Sequence, residues 1–352
     1  MTLPSRITRR AQAGVTLIEL LVGLVLGMVA VIVILQVFQA SEGSKRTTLG
    51  GDDAQINGAI AVAALQRDLR QAGYGASAFA FVGCDVDLPG GRSVPGVGPV
   101  TINHPNVPAG DANTDTLLVV YGSSAGSPEG DRINLQPATE TYAVATPTAF
   151  AVNDLVLAVP ASRPSPCTAT AELVTAVTVA PPYVTVGTGV AGVSNGTLYN
   201  LGPSLRVLAY AVRDGNLTVC DHVAANCMDA AQAGDRTVWV PVASNVVSLR
   251  AQYGRDSSAA MDGAVDVYDR TAPASACDWA RTSALRLALV ARSAQFEKDA
   301  VTGASPTWAG SDDEAAAIDL SDLPDWQQYR YRTYETTVPL RNMAWQGVQS
   351  GC

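Results

Sequence analysis

The stretch RRAQAGVTLIELLVGLVLGMVAVIVILQVF, Arg9 to Phe38, sets a basic start before a long apolar run that carries one carboxylate, Glu19. From Val15 to Phe38 every residue is apolar or small except Thr16, Glu19 and Gln36. At about 1.5 Å per residue this run makes a helix roughly 36 Å long, enough to cross a bilayer. Arg6, Arg9 and Arg10 precede it, and no Lys or Arg follows until Lys45 and Arg46. That asymmetry keeps the first residues cytoplasmic and sends the remainder across. A cleaved secretory signal fits poorly, because its apolar core usually spans about 7–15 residues and ends in a small-x-small site. Here the run is longer, and its end, VFQAS, puts bulky Phe38 where a small residue is wanted. A plain anchor leaves Glu19 unexplained, since a carboxylate at the centre of a spanning helix costs about 2.5–3.5 kcal/mol. Glu19 lies nearer one end, where the cost is smaller, but it still needs a partner.

Composition points to an exported, mostly β domain behind this helix. The chain has 352 residues and a formal charge of −9, with 31 glycines and 20 prolines. An acidic balance argues against nucleic acid as a partner. All six cysteines, Cys84, Cys167, Cys220, Cys227, Cys277 and Cys352, follow the apolar run, on the side where disulfides persist. Their connectivity is open among about 15 arrangements. Cys220 and Cys227, nearest in sequence, are the expected pair; the other four stay unassigned.

The residues AGVTLIELLVGL resemble the class III signal of type IV prepilins and pseudopilins. The resemblance implies cleavage by a prepilin peptidase between Gly14 and Val15, methylation of the new amine, and a Glu19 that pairs with the terminal amine of a neighbouring subunit. The anchor then becomes part of a filament core. Val15 stands where that family most often has Phe.

After the membrane run a helical pattern resumes. Val62, Leu65, Leu69 and Ala72 recur at three and four residue steps, with Gln66, Arg67, Asp68 and Arg70 between them, which predicts an amphipathic half-helix lying on a sheet. Gly43, Gly50, Gly51 and Gly58 predict a bend or a locally melted stretch in between, and Gly73 and Gly75 a stop. Beyond Gly75 the pattern turns to strands: DTLLVVYG (Asp115 to Gly122), DLVLAVP (Asp154 to Pro160), LRVLAYAVRDGNLTVC, TVWVPV, VVSLRAQYG and ALRLALVARS. Asp214-Gly215 predicts a tight hairpin turn. DLPGGRSVPGVGP and ASRPSPC predict loops. The expected fold class is α+β, mostly antiparallel: leader 1–14, transmembrane half-helix 15–38, amphipathic half-helix 39–75, periplasmic β-rich domain 76–352.

ALQRDLRQAGYG, VVSLRAQYGRD, RLALVARSAQFEK and the closing YRYRTYETTVPLRNMAW together resemble the PilW family of minor type IV pilins, related in plan to J-type minor pseudopilins of type II secretion. Residues 85–200 carry no such resemblance. Trp345 reads as a buried residue after a final strand. The resemblance implies a non-enzymatic inner-membrane protein that joins other minor and major pilins, starts or tips a pilus and supports twitching. The alternatives are a J-type pseudopilin and a single-pass periplasmic enzyme or receptor.

Chemical sites are weakly signalled. GSSAG (Gly122 to Gly126) matches G-x-S-x-G around Ser124, but Pro128 and Gly130 oppose the helix a nucleophile elbow requires, and His222 is the one downstream histidine. Cys220, His222 and Cys227 lack a fourth zinc ligand and a CxxC spacing. Asp256, Asp262, Asp266 and Asp269 are weak calcium candidates whose spacing departs from an EF-hand loop. Asp312, Asp313 and Glu314 read as an exposed loop or a helix N-terminus. No cofactor, no metal and no enzymatic activity are expected.

Overall fold

The computed structural model describes residues 14–124 and 126–352. The expected leader thus falls, apart from Gly14, outside the described residues. Two compact units divide the chain, one ending at Gly50 and the other running from Gly51 to Cys352. In the first, α1 (Leu17–Leu69) begins, and its Leu17–Gln39 portion is apolar and long enough to cross a membrane. Side chains there point outward throughout, with Leu17 78% exposed and Phe38 65%. Of the expected bend or locally melted stretch, the melting is not seen: α1 is helical at Gly43, Gly50, Gly51 and Gly58 alike. A glycine costs about 1 kcal/mol of helix propensity but keeps its amide donor, so the hydrogen-bond ladder continues through it.

The second unit holds the end of α1 and, among the described residues, seventeen strands. They are β1 (Asp85–Leu88), β2 (Arg92–Val94), β3 (Val100–Ile102), β4 (Leu117–Tyr121), β5 (Asp131–Ala138), β6 (Thr141–Val144), β7 (Leu155–Val159), β8 (Thr168–Val179) and β9 (Pro182–Val186). After them come β10 (Thr197–Gly202), β11 (Arg206–Arg213), β12 (Asn216–Asp221), β13 (Val240–Ser244), β14 (Val246–Arg255), β15 (Val267–Asp269), β16 (Thr282–Arg292) and β17 (Tyr331–Pro339). Two short helices, α2 (Ala276–Ala280) and α3 (Arg341–Ala344), complete the regular elements.

A five-stranded sheet has the order β13-β12-β11-β4-β3 and a four-stranded one β15-β14-β16-β17. In the largest sheet β8, β7, β10, β5, β6 and β9 pair in turn, and β9 pairs back to β8, so six strands close into a barrel. The hairpin of β1 and β2 extends the barrel sheet through a parallel β1–β8 pairing. This corrects the expected loop at DLPGGRSVPGVGP. Pro89-Gly90-Gly91 is the turn itself, and Val86, Leu88 and Val94 beside it are buried.

The alternation of side chains explains why β4 and β7 read as unbroken apolar runs. On β4, Leu117, Val119 and Tyr121 join the core beneath α1, while Leu118 and Val120 join the core shared with the barrel. On β7, Leu155, Leu157 and Val159 face that same shared core and Val156 and Ala158 fill the barrel interior. Both strands are buried on both faces, so period-two alternation disappears from their sequences. At the β11–β12 hairpin Arg213 pairs with Asn216, with Asp214 at φ 50° and Gly215 at φ 67°, the positive values a tight two-residue turn requires.

Candidate functional site

The N-terminal element begins at Thr16. Its hydroxyl accepts the Glu19 amide at 3.3 Å, as does its carbonyl at 3.1 Å, which closes the first turn of α1. A Thr followed three residues later by Glu is the pattern of a capping box. Glu19 therefore sits in the first helical turn, where the helix dipole favours negative charge, and its side chain is exposed. Gly14 and Val15 lie immediately before the helix, outside its ladder and exposed. The Gly14-Val15 bond is thus solvent-accessible ahead of the helix, with an uncovered carboxylate in the helix's first turn.

Within the second unit α1 is fastened by its apolar face and by one acid. Leu65, Leu69 and Ala72 are fully buried against the five- and four-stranded sheets, with Val62 partly buried beside them. Asp68, expected among the polar positions, is 1% exposed. Its carboxylate accepts from Tyr121 Oη at 3.1 Å, from Tyr210 Oη, and from Arg67 Nε at 3.1 Å. Burial and this neighbouring negative charge push the Tyr121 hydroxyl up to about 12 and hold Tyr210 higher still. Position 68 lies three after Leu65 and four before Ala72, so the helical spacing that marked the apolar face also marks Asp68. A second buried acid, Asp115, accepts from Ala251 N at 3.0 Å and Asn103 Nδ2 at 2.8 Å, and pairs with Arg250 and Arg270.

The six cysteines form three disulfides: Cys84–Cys167, Cys220–Cys227 and Cys277–Cys352. The second closes the loop after β12, and the third ties α2 to the segment after α3. With both sulfurs in one bond, Cys220 and Cys227 have no thiolate to offer zinc. His222 is turned to the Ser93 carbonyl at 3.2 Å.

Other singled-out residues serve loops. Ser124 is buried, and its hydroxyl accepts the Gly126 amide at 2.8 Å. Asp256 accepts the amides of Ser258, Asp262 and Gly263 and pairs with Arg281 at 3.4 Å. Burial opposes its charge, but those amides and Arg281 outweigh it and hold the carboxyl below the usual range. Asp266 accepts from Ser257 and Ser258, and Asp269 pairs with Arg255. Among the described residues no group of three or more His, Cys, Asp or Glu is arranged to hold a metal. Asp313 caps a short 3-10 turn through the Ala315 amide. Trp345 departs from expectation: it follows α3 instead of packing inward and is 71% exposed. Leu340 and Met343, three residues apart, fill the inner face there, and position 345 points away from it.

Residues 209–342 match the family model of type IV pilus-assembly protein W, and residues 9–35 match the prokaryotic N-terminal methylation motif. A solved type IV-like pilin, TTHA1219 from Thermus thermophilus, is 12% identical, over 82% of this chain and 98% of its own, with a TM-score of 0.33. No curated protein sequence matches. The chain is thus similar to proteins carrying the methylation motif in its anchor and to pilus-assembly protein W from β11 to α3, and the six barrel strands lie outside both matches.

Proposed function

We propose that the chain is a minor pilin that joins other pilins in the inner membrane, initiates or tips a type IV pilus, and supports twitching. One observation carries the proposal. Gly14, Val15 and Glu19 head an outward-facing apolar helix, and the same chain continues into a region similar to pilus-assembly protein W. Prepilin peptidase removes the leader after Gly14, and Val15 becomes the methylated terminus. The helix then moves from lipid to a bundle of pilin helices, with Glu19 neutralising a neighbour's terminal amine. Three disulfides support a periplasmic place for the β-rich domain.

Intact mass of membrane-extracted protein tests the processing step: the expected chain starts at Val15 and carries one methyl group. Glu19→Ala tests assembly. It removes an insertion cost and leaves Gly14 in place, so insertion and cleavage persist. Stranding one partner of a desolvated ion pair costs about 3–5 kcal/mol, so surface pili and twitching are lost while the exported domain still folds. A Glu19→Ala strain that piliates like its parent refutes the pairing. One that loses protein secretion instead places the chain among J-type pseudopilins.

A further inference from the structure

Beside the end of α1 lies a cavity of about 490 Å³, within the roughly 300–1,000 Å³ of ligand sites. Its walls come from the loop after α1, the turn before β5, Tyr199 of β10, and α3 with the residues that follow it. Four rings line it: Tyr74, Phe79, Tyr199 and Trp345. Glu129 carries the only formal charge among the lining residues, which include no Lys, Arg or His.

Four polar side chains of the walls, Asn342, Gln346, Ser77 and Tyr74, donate inside the protein. Asn342 Nδ2 donates to the Ala72 carbonyl at 2.9 Å. Gln346 donates to the Ser77 carbonyl and accepts from the Phe79 amide at 3.0 Å. Ser77 Oγ donates to Gly73 O at 2.7 Å, and Tyr74 Oη to Ser124 O at 2.9 Å. What these walls chiefly offer besides is four aromatic rings and one exposed carboxylate. Such a surface matches a cation borne on an apolar stem, because the rings attract positive charge and cover methylenes while the acid neutralises it. An anion or a ligand that depends on side-chain donors finds little here.

We propose that this pocket receives a lysine or arginine side chain presented by another protein chain. The outside of the pocket decides for a protein over a free amine. Trp345 at the rim is 71% exposed, and Val348, three residues on in the same segment, is 59% exposed. A small cation leaves that apolar surface bare, whereas a polypeptide covers it. The pocket's charge acts independently of the assembly role of α1, so the test reads binding by the isolated full chain.

The probes are a short apolar peptide with one lysine, the same peptide with norleucine in its place, and cadaverine as a free amine, each titrated calorimetrically into the detergent-solubilised chain. The lysine peptide is expected to bind at least tenfold more tightly than either comparator. Glu129→Gln and Trp345→Ala are each expected to weaken it about fivefold, the factor corresponding to the loss of one partly desolvated cation contact. Both side chains lie at the surface, and an unchanged Tm shows that the variants fold. Equal binding of the lysine and norleucine peptides, no binding of the lysine peptide, or indifference to both substitutions overturns the proposal. Cadaverine binding as tightly as the peptide overturns the protein source.

Discussion

Asp115 shows how much can hang on one carboxylate. It is 1% exposed and gathers Arg250, itself 7% exposed, with Arg270, Asn103 and the Ala251 amide. Burial pulls the Arg250 guanidinium below its ordinary value, and the Asp115 charge works against that pull. Asp115→Ala leaves Arg250 buried and uncompensated, so chemical denaturation should show a loss of about 3–5 kcal/mol. A loss under 1 kcal/mol means that water or another acid replaces Asp115. His222 carries a pH dependence. Burial is the main cause holding its imidazole below the ordinary value; Arg92 and His104 add to this, and the Ser93 carbonyl and Asp221 oppose it. The unfolded chain then binds the proton more readily, and stability falls as pH drops below the unfolded value of about 6.5. Denaturation midpoints at pH 7.5 and 5.5 should differ less in His222→Gln, which keeps a donor for Ser93. An equal drop in both proteins assigns the effect elsewhere. Individual acids were only partly legible in sequence. Glu19 stood out because its neighbours are apolar, whereas Asp68 and Asp115 look like surface residues until the strands that bury them are assembled.

Helix α1 meets β17 without a spacer at Gly58. A methyl group built there falls 2.1 Å from the Tyr334 ring, and Tyr334 Oη donates to the Gln55 carbonyl at 2.8 Å. Helix propensity alone favours Gly58→Ala by about 1 kcal/mol. Packing opposes it, because overfilling a close contact costs about 1–3 kcal/mol. The expected outcome is net destabilisation, reversed when Tyr334→Ala is added, and thermal melting of the two variants decides the sign. If Gly58→Ala stabilises the chain with Tyr334 intact, the contact yields more readily than its distance implies. Most of the longer elements were announced: α1, β4, β7, β11, β12, β14 and β16 each lie under a stretch that periodicity or apolar runs mark, whereas β8, at 12 residues the longest strand described, does not. Short and irregular ones were not. The hairpin of β1 and β2 hides behind prolines and glycines, and β5, β6 and β9 are exposed in part and interrupted by register shifts that blur alternation.

Taken together, the second unit is a stack in which α1, the five-stranded sheet and the barrel share cores, with the four-stranded sheet also beneath α1. Its cross-links differ in reach, Cys84–Cys167 spanning 83 residues and Cys220–Cys227 spanning 7. Chain-entropy arguments give the longer loop about 4 to 5 kcal/mol and the shorter about 2 to 3. Replacing Cys84 and Cys167 by Ser should therefore lower Tm more than replacing Cys220 and Cys227; the reverse order makes local strain, not chain entropy, the governing quantity. The barrel interrupts a single antiparallel pair, because Tyr121 at the end of β4 lies opposite Arg206 at the start of β11. Left open, the intervening chain is a long loop, whose closure entropy grows with the logarithm of its length and whose distant pairing slows folding. The six barrel strands are contiguous in sequence, so they can close on one another before β11 is needed. Once formed, they hold the two ends of the interruption together, and a remote encounter becomes a local one. Kinetic order is thus written into where the barrel was placed. Pulse-labelled hydrogen exchange during refolding should find the amides of β6 and β7 protected ahead of those joining β4 to β11, and simultaneous protection overturns that order.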